Sequence, residues 1–264
     1  MKCAASTILL GLLALALSAC AAAADSPIQD MPAAAATGAP PSPTIVWFPP
    51  SVTPTPQLIA TIPPTPERKP GIEGLVLADD FSTAGPWNPA ASEEASIEVS
   101  LNRLTIAVQP GVTAYRVRQG VALQDFYAEL TARPSLCRNT DNYGLLFRAP
   151  SNAAYYGFAV SCDGTSFAER VRLGQPYELH APVPSADAPV GAPGEVRLGV
   201  WVSGSDMRFF LNGRYQFSIS DRAYASGSVG AFAHSAGDTP VAVTFSDLSV
   251  YEVSYSPPSG TPTP

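Results

Sequence analysis

The chain is short of lysine, of histidine and of any helical period. Two lysines, Lys2 and Lys69, stand among 264 residues, and arginine supplies the rest of 15 cationic residues against 22 acidic ones. With a net charge of −7, nothing is available to neutralise a phosphate backbone, which argues against nucleic acid as a partner. His180 and His234 are the only histidines. Neither sits in a metal spacing such as H-E-x-x-H, and both read as solvated or structural, His180 in a Pro-rich loop and His234 at a strand end. The serine elbow G-x-S-x-G is missing: Gly164-Thr165-Ser166-Phe167-Ala168 comes nearest, with Ala168 in place of the last glycine. No glutamate is followed two residues later by an aspartate, so the spaced carboxylates of a glycosidase strand are also missing. No phosphate-cradling glycine loop stands out. The expectation is a domain with no catalytic residue, no metal ligand and no cofactor.

What is present begins with an address. Lys2 gives a positive start, Ile8 to Leu17 is a ten-residue apolar run, and Leu17-Ser18-Ala19-Cys20 closes it. That string resembles the lipobox of bacterial lipoproteins. The resemblance implies that residues 1–19 are a signal peptide and that the Cys20 thiol carries lipid. The protein would then be tethered to a bilayer outside the cytoplasm, at the cell surface or in the periplasm. An uncleaved membrane anchor competes, because Cys3 to Ala24 is nearly free of charge. Its strongly apolar part, however, is about half of the roughly 20 residues that a span needs.

Residues 20–72 read as a disordered Pro/Ala/Thr-rich tether. Thirteen of the chain's 28 prolines fall between Ala21 and Pro70, and proline blocks both helix and sheet in favour of extended polyproline-II geometry. At about 3.1 Å per residue such a stalk reaches on the order of 150 Å. Trp47 and Phe48 interrupt it without a repeat or motif. Residues 255–264 form a second Pro-rich tail.

Residues 73–254 are enough for one well-buried core, and they are written in strands. Leu104, Ile106 and Val108 alternate with polar or small neighbours; so do Phe126, Ala128, Leu130 and Ala132. Tyr143, Leu145 and Phe147 repeat the pattern, as do Val196, Leu198, Val200 and Val202. Asn212-Gly213 and Asp163-Gly164 each suit a type I′ hairpin turn. Short antiparallel strands at this spacing predict an all-β, two-sheet sandwich. Once Cys3 leaves with the signal and Cys20 is lipidated, Cys137 and Cys162 remain, and in an exported domain they read as a disulfide. If the strands near 126–133, 142–148 and 154–161 run as a meander, both cysteines lie at one edge of one sheet. Two free buried thiols are the alternative.

The ordered set Asp79-Asp80-Phe81 with Trp87, YGLLFR, YYGFAVSCDG, MRFFLNGRY, GSVGAFA and VTFSDLSVYEV is similar to the concanavalin A-like jelly rolls. These include laminin-G, lectin and glucanase domains and those related to 3-keto-disaccharide hydrolases. The resemblance implies that the first and last strands pair. It leaves open a glycan-binding module, a glycoside or keto-sugar hydrolase, and a structural or protein-binding module of the cell envelope. Some relatives hold calcium, for which Asn139-Thr140-Asp141-Asn142 and Asp79-Asp80 offer oxygens, although too few in one run. The non-core face of the sheet is expected to present Tyr127, Glu129, Arg148, Tyr155, Arg197 and Trp201. That mixture suits stacking on sugar rings or a protein contact, and it also suits an ordinary solvated sheet face. Oligomeric state is not written in the sequence.

Overall fold

A computed structural model describes residues 67–256. The signal peptide, Cys20 and most of the tether lie outside the described residues. The strands are β1 (Ile72–Asp79), β2 (Ala90–Ala91), β3 (Ala95–Ser100), β4 (Arg103–Val108), β5 (Thr113–Val117), β6 (Phe126–Leu136), β7 (Asn142–Ser151) and β8 (Ala154–Ser161). They continue with β9 (Thr165–Arg172), β10 (Gln175–Pro184), β11 (Val196–Ser203), β12 (Asp206–Leu211), β13 (Arg214–Ser220), β14 (Ser228–His234) and β15 (Val241–Val253). They form two antiparallel sheets. A nine-stranded sheet runs β13-β12-β11-β6-β15-β4-β3-β2, with β1 also paired to β15; a six-stranded sheet runs β10-β9-β8-β7-β14-β5.

The alternation does what a pleated strand dictates. Each apolar set read from the sequence points into the space between the sheets and is fully buried there. Aromatic rings bridge the layers: Phe158 of β8 lies 4.9 Å from Phe209 of β12, and Phe147 of β7 lies 6.1 Å from the same ring. β1 pairs with β15, with Leu77 opposite Val250 and Asp79 opposite Leu248, so the expected first-to-last pairing is present.

Two hairpins illustrate how turn chemistry is read. Asn212 and Gly213 both have positive φ, +50° and +77°, as a type I′ turn requires. At Asp163-Gly164 only the glycine does, with φ +87°. The Gly164 N–H bonds the Ser161 carbonyl at 3.0 Å and Asp163 Oδ1 accepts from the Thr165 N–H at 3.0 Å. This is the longer loop ending in a left-handed glycine, not the two-residue turn expected. His180 also departs from expectation: it lies in β10 and stacks on Phe217 with ring centroids 3.9 Å apart. β10 is an edge strand, where prolines 176, 182 and 184 cost no ladder bond to a further neighbour.

Cys137 and Cys162 are joined, with Cα atoms 5.9 Å apart. The route differs from the meander. β6 belongs to the nine-stranded sheet and β7 and β8 to the six-stranded one, so the bond ties the two layers together at one end of the sandwich. Two of the carboxylates considered for calcium are engaged by the protein itself. Asp79 accepts from Arg118 Nε at 2.6 Å, from Trp87 Nε1 at 3.2 Å and from the Phe81 N–H at 2.9 Å. Asp141 staples its loop through the N–H groups of Arg138 (3.0 Å) and Ala236 (2.9 Å).

Candidate functional site

The six residues expected to share one face fall in three places. Tyr127 and Glu129 of β6 and Arg197 and Trp201 of β11 do lie together, on the outer face of the nine-stranded sheet. Arg148 and Tyr155 belong to the other sheet. Period-2 alternation gives the side of a strand but not which sheet it joins, and that is where the grouping failed.

On the nine-stranded sheet the outer face is covered around Tyr127, Trp201, Phe210 and Tyr215. Glu67–Pro70, hereafter the strap, lies along it. Lys69 Nζ sits over the Tyr127 ring at 4.7 Å and the Phe210 ring at 5.1 Å, and bonds the Tyr127 hydroxyl at 3.1 Å. Arg68 stacks on Tyr215 at 4.4 Å. Trp201 donates its indole N–H to the Pro70 carbonyl and is flanked by Arg208, 4.3 Å from its ring, and by Tyr255 at 5.4 Å. Trp201 is therefore on the non-core side, as its parity requires, yet 0% exposed. Beneath the strap Tyr127 donates to Glu129, which also accepts from Arg197 at 2.7 and 2.9 Å. Burial works to raise Glu129, but the bonds from Arg197 and Tyr127 outweigh it and hold the carboxyl below its ordinary range. Every charge in this cluster has a partner.

Arg148 sits at one end of the sandwich, 1% exposed and with φ +44° at a break in the β7 register. Its guanidinium donates to the carbonyls of Gln124 (2.6 and 2.9 Å), Gly204 (2.7 Å) and Tyr224 (3.4 Å) and to Asp125 at 3.1 Å. A hollow of about 630 Å³ opens beside it, but a guanidinium so engaged holds loops together and has no donor left to offer a ligand.

The outer face of the six-stranded sheet is different. Its register sets Tyr115, Phe232, Gly144, Ala159 and Phe167 in one row across β5, β14, β7, β8 and β9. Gly144 contributes no side chain to this row, and the Phe232 ring takes the space above it, within 2.7 Å of where a Cβ would stand; Phe232 and Ala159 are buried, and Tyr115 and Phe167 are half-buried at the two ends. The next row runs Gly230, Leu146, Gly157 and Glu169. Tyr155 leans inward until its ring lies 5.6 Å from Tyr115, three strands away. Strands stand about 4.8 Å apart, so the two rings meet over the strands between them and cover Leu146, which is fully buried. The groove holds about 430 Å³, within the size range of ligand sites.

Besides the tyrosines, two ionisable groups line this groove, Glu169 and His234, and sequence reasoning passed over both as site residues. Glu169 is half-buried, and burial pushes its carboxyl above the ordinary range. His234 lies at one end, with Nδ1 2.7 Å from the Thr113 hydroxyl. Burial lowers its pKa, against the opposing charge of Asp141. Glu169 is the one carboxylate among the described residues lining the groove, and no lysine or arginine lines it. The tyrosine hydroxyl of Tyr155 is raised by burial and by the neighbouring Glu169 and Tyr115, so it stays a neutral donor at all ordinary pH.

No protein-family model matches the chain, and no curated protein matches it. Solved structures do match. A carbohydrate binding module from Bacillus subtilis is 12% identical with a TM-score of 0.51, over 63% of this chain and 96% of that one. A protein of unknown function with a galectin-like fold, also from Bacillus subtilis, is 13% identical with a TM-score of 0.50, over 70% of this chain and 99% of that one. A structure from work on endo-acting O-glycanases of the human gut microbiota is 10% identical with a TM-score of 0.50, over 69% of this chain and all of the other. At such identities the likeness is one of fold. The described domain has a concanavalin A-like jelly-roll fold.

Proposed function

We propose that this protein is an extracytoplasmic lipoprotein, anchored through Cys20, whose jelly roll is a non-catalytic glycan-binding module. The ligand lies in the groove on the outer face of the six-stranded sheet. The observation that carries this reading is the groove of about 430 Å³ that the half-buried rings of Tyr115 and Phe167 line together with Tyr155, His234 and Glu169. Sugar rings are amphipathic plates: their C–H faces stack on aromatic rings, and their hydroxyls need donors and acceptors, which Tyr155, His234 and Glu169 supply. A single carboxylate in the groove supports binding over hydrolysis, which calls for two, spaced about 5–9.5 Å apart. Carbohydrate binding by one matching module and glycan cleavage by another agree with a glycan ligand. The LSAC string supports the anchor.

A glycan array probed with the full-length chain tests the reading, together with Tyr115→Ala and Phe167→Ala, both half-buried and safe for the core. Wild type should bind a defined set of oligosaccharides, and each variant should lose about tenfold or more in affinity. Cleavage of the bound glycans would make the protein an enzyme. Silence across the array, with capture of envelope proteins by the same face, would replace glycan recognition with protein recognition.

A further inference from the structure

Glu169 is the exception among the acids of this domain. The other half-buried carboxylates are claimed: Asp79 by Arg118, Glu129 by Arg197, Asp221 by Arg170 and Asp125 by Arg148. Glu169 has no hydrogen-bond partner and no cation beside it among the described residues. Its side chain lies flat on the groove floor over Gly157, where a Cβ would come within 3.2 Å of its Cγ and 3.4 Å of its Oε1. The glycine leaves the space that the carboxylate occupies. Resting on the proposed glycan groove, we infer that the ligand carries free amines, so that its class is a glycan of unacetylated amino sugars. A ligand that covers Glu169 takes away its remaining water. A neutral sugar could bond the oxygens but would leave the charge uncompensated in a dry trough, whereas an ammonium compensates it. Tyr115, Tyr155 and Phe167 add ring faces that attract the same cation, and a net charge of −7 draws a polycation toward the domain.

The chain contains the same constellation, filled, on its other sheet. There the ammonium of Lys69 lies over Tyr127 and Phe210, beside Glu129. Rings and a carboxylate hold a primary amine in one place, and the groove sets out rings and a carboxylate with the amine's position free.

The test is calorimetric titration of the full-length protein with three hexamers: β-1,4-linked glucosamine, its fully N-acetylated form and the matching glucose oligomer. The glucosamine hexamer should bind at least about tenfold more tightly than the other two. Glu169→Gln, isosteric and free of the buried charge, should bring all three within about twofold of one another. Equal binding of all three by wild type would overturn the inference and leave glycan recognition standing. Binding of none would overturn the amino-sugar inference, and the glycan reading would then rest on the array alone. Binding of an oligolysine peptide without binding of the glucosamine hexamer would overturn the amino-sugar inference in favour of a cationic peptide.

Discussion

Trp201 donates its indole N–H to the carbonyl oxygen of Pro70 at 2.9 Å, and this bond seals an aromatic residue that strand parity alone would turn to solvent. The ring is gripped from the sides by Arg208 and Tyr255 and from above by the strap. Trp201→Ala should therefore cost about 3–5 kcal/mol, as for a core aromatic. It should also loosen the strap, so that trypsin cuts after Arg68 faster than in wild type. A melt with no shift and an unchanged cleavage rate would mean that the strap does not rest on Trp201 in solution.

The Cys137–Cys162 bond closes a loop across a sequence separation of 25 residues and joins the two sheets. Cys137→Ser should lower stability by about 3–4 kcal/mol in the chain-entropy picture. Urea denaturation of oxidised wild type against the mutant measures it, and non-reducing peptide mapping should recover the linked pair.

Glu129 and Glu169 titrate in opposite senses. Glu129 is held low in the fold, so its stabilisation is present above the ordinary glutamate value and is lost as pH falls through the folded value. Glu169 is held high, so the fold loses stability as pH rises from about 4.3 through the folded value, and the deficit persists at neutrality. At pH 7 Glu169→Gln should raise the melting temperature and Glu129→Gln should lower it. Both differences should shrink toward zero below about pH 4. A Glu169→Gln protein less stable than wild type at pH 7 would contradict the unpartnered carboxylate.

For the anchor, wild type should begin at a lipid-modified Cys20, whereas Cys20→Ala should take up no lipid and keep its signal peptide uncleaved. Equal partitioning into detergent of wild type and mutant, both retaining Lys2, would mean that the apolar segment itself spans the bilayer.

The architecture was legible because strands announce themselves. Alternation placed Val196, Leu198, Val200 and Val202 inward, and Asn212-Gly213 gave one hairpin outright. The pairing of the two cysteines was legible too, although they meet across the sheets and not along one edge. What alternation cannot report is sheet membership, and so Arg148 and Tyr155 were grouped with residues from the opposite layer. The groove left a fainter signal. Gly144 and Gly157, each in the middle of an otherwise apolar strand, are the kind of interior glycine that marks a close approach. Continuing the parity of GSVGAFA and TSFAERV would have set Phe232, His234, Phe167 and Glu169 on one side. The burial of Trp201 was illegible for a different reason. The strap falls within a proline-rich stretch whose composition reads as extended and free, and only its cations, Arg68 and Lys69, meeting the rings of Tyr215, Tyr127 and Phe210, say otherwise.

The pairing of β1 with β15 sets Ile72 opposite Val253, and the Ser254 N–H bonds the Gly71 carbonyl at 2.9 Å. The chain thus enters and leaves the sandwich side by side. A unit with adjacent ends behaves as a cassette: it can be inserted in a loop of another protein, strung in tandem or circularly permuted through a short bridge from residue 255 to residue 67. Joining the ends this way and reopening the chain at the exposed Leu101-Asn102 turn would leave both sheets intact. The resulting protein should fold with its groove unaltered, a portable domain that needs neither its stalk nor its original order of strands.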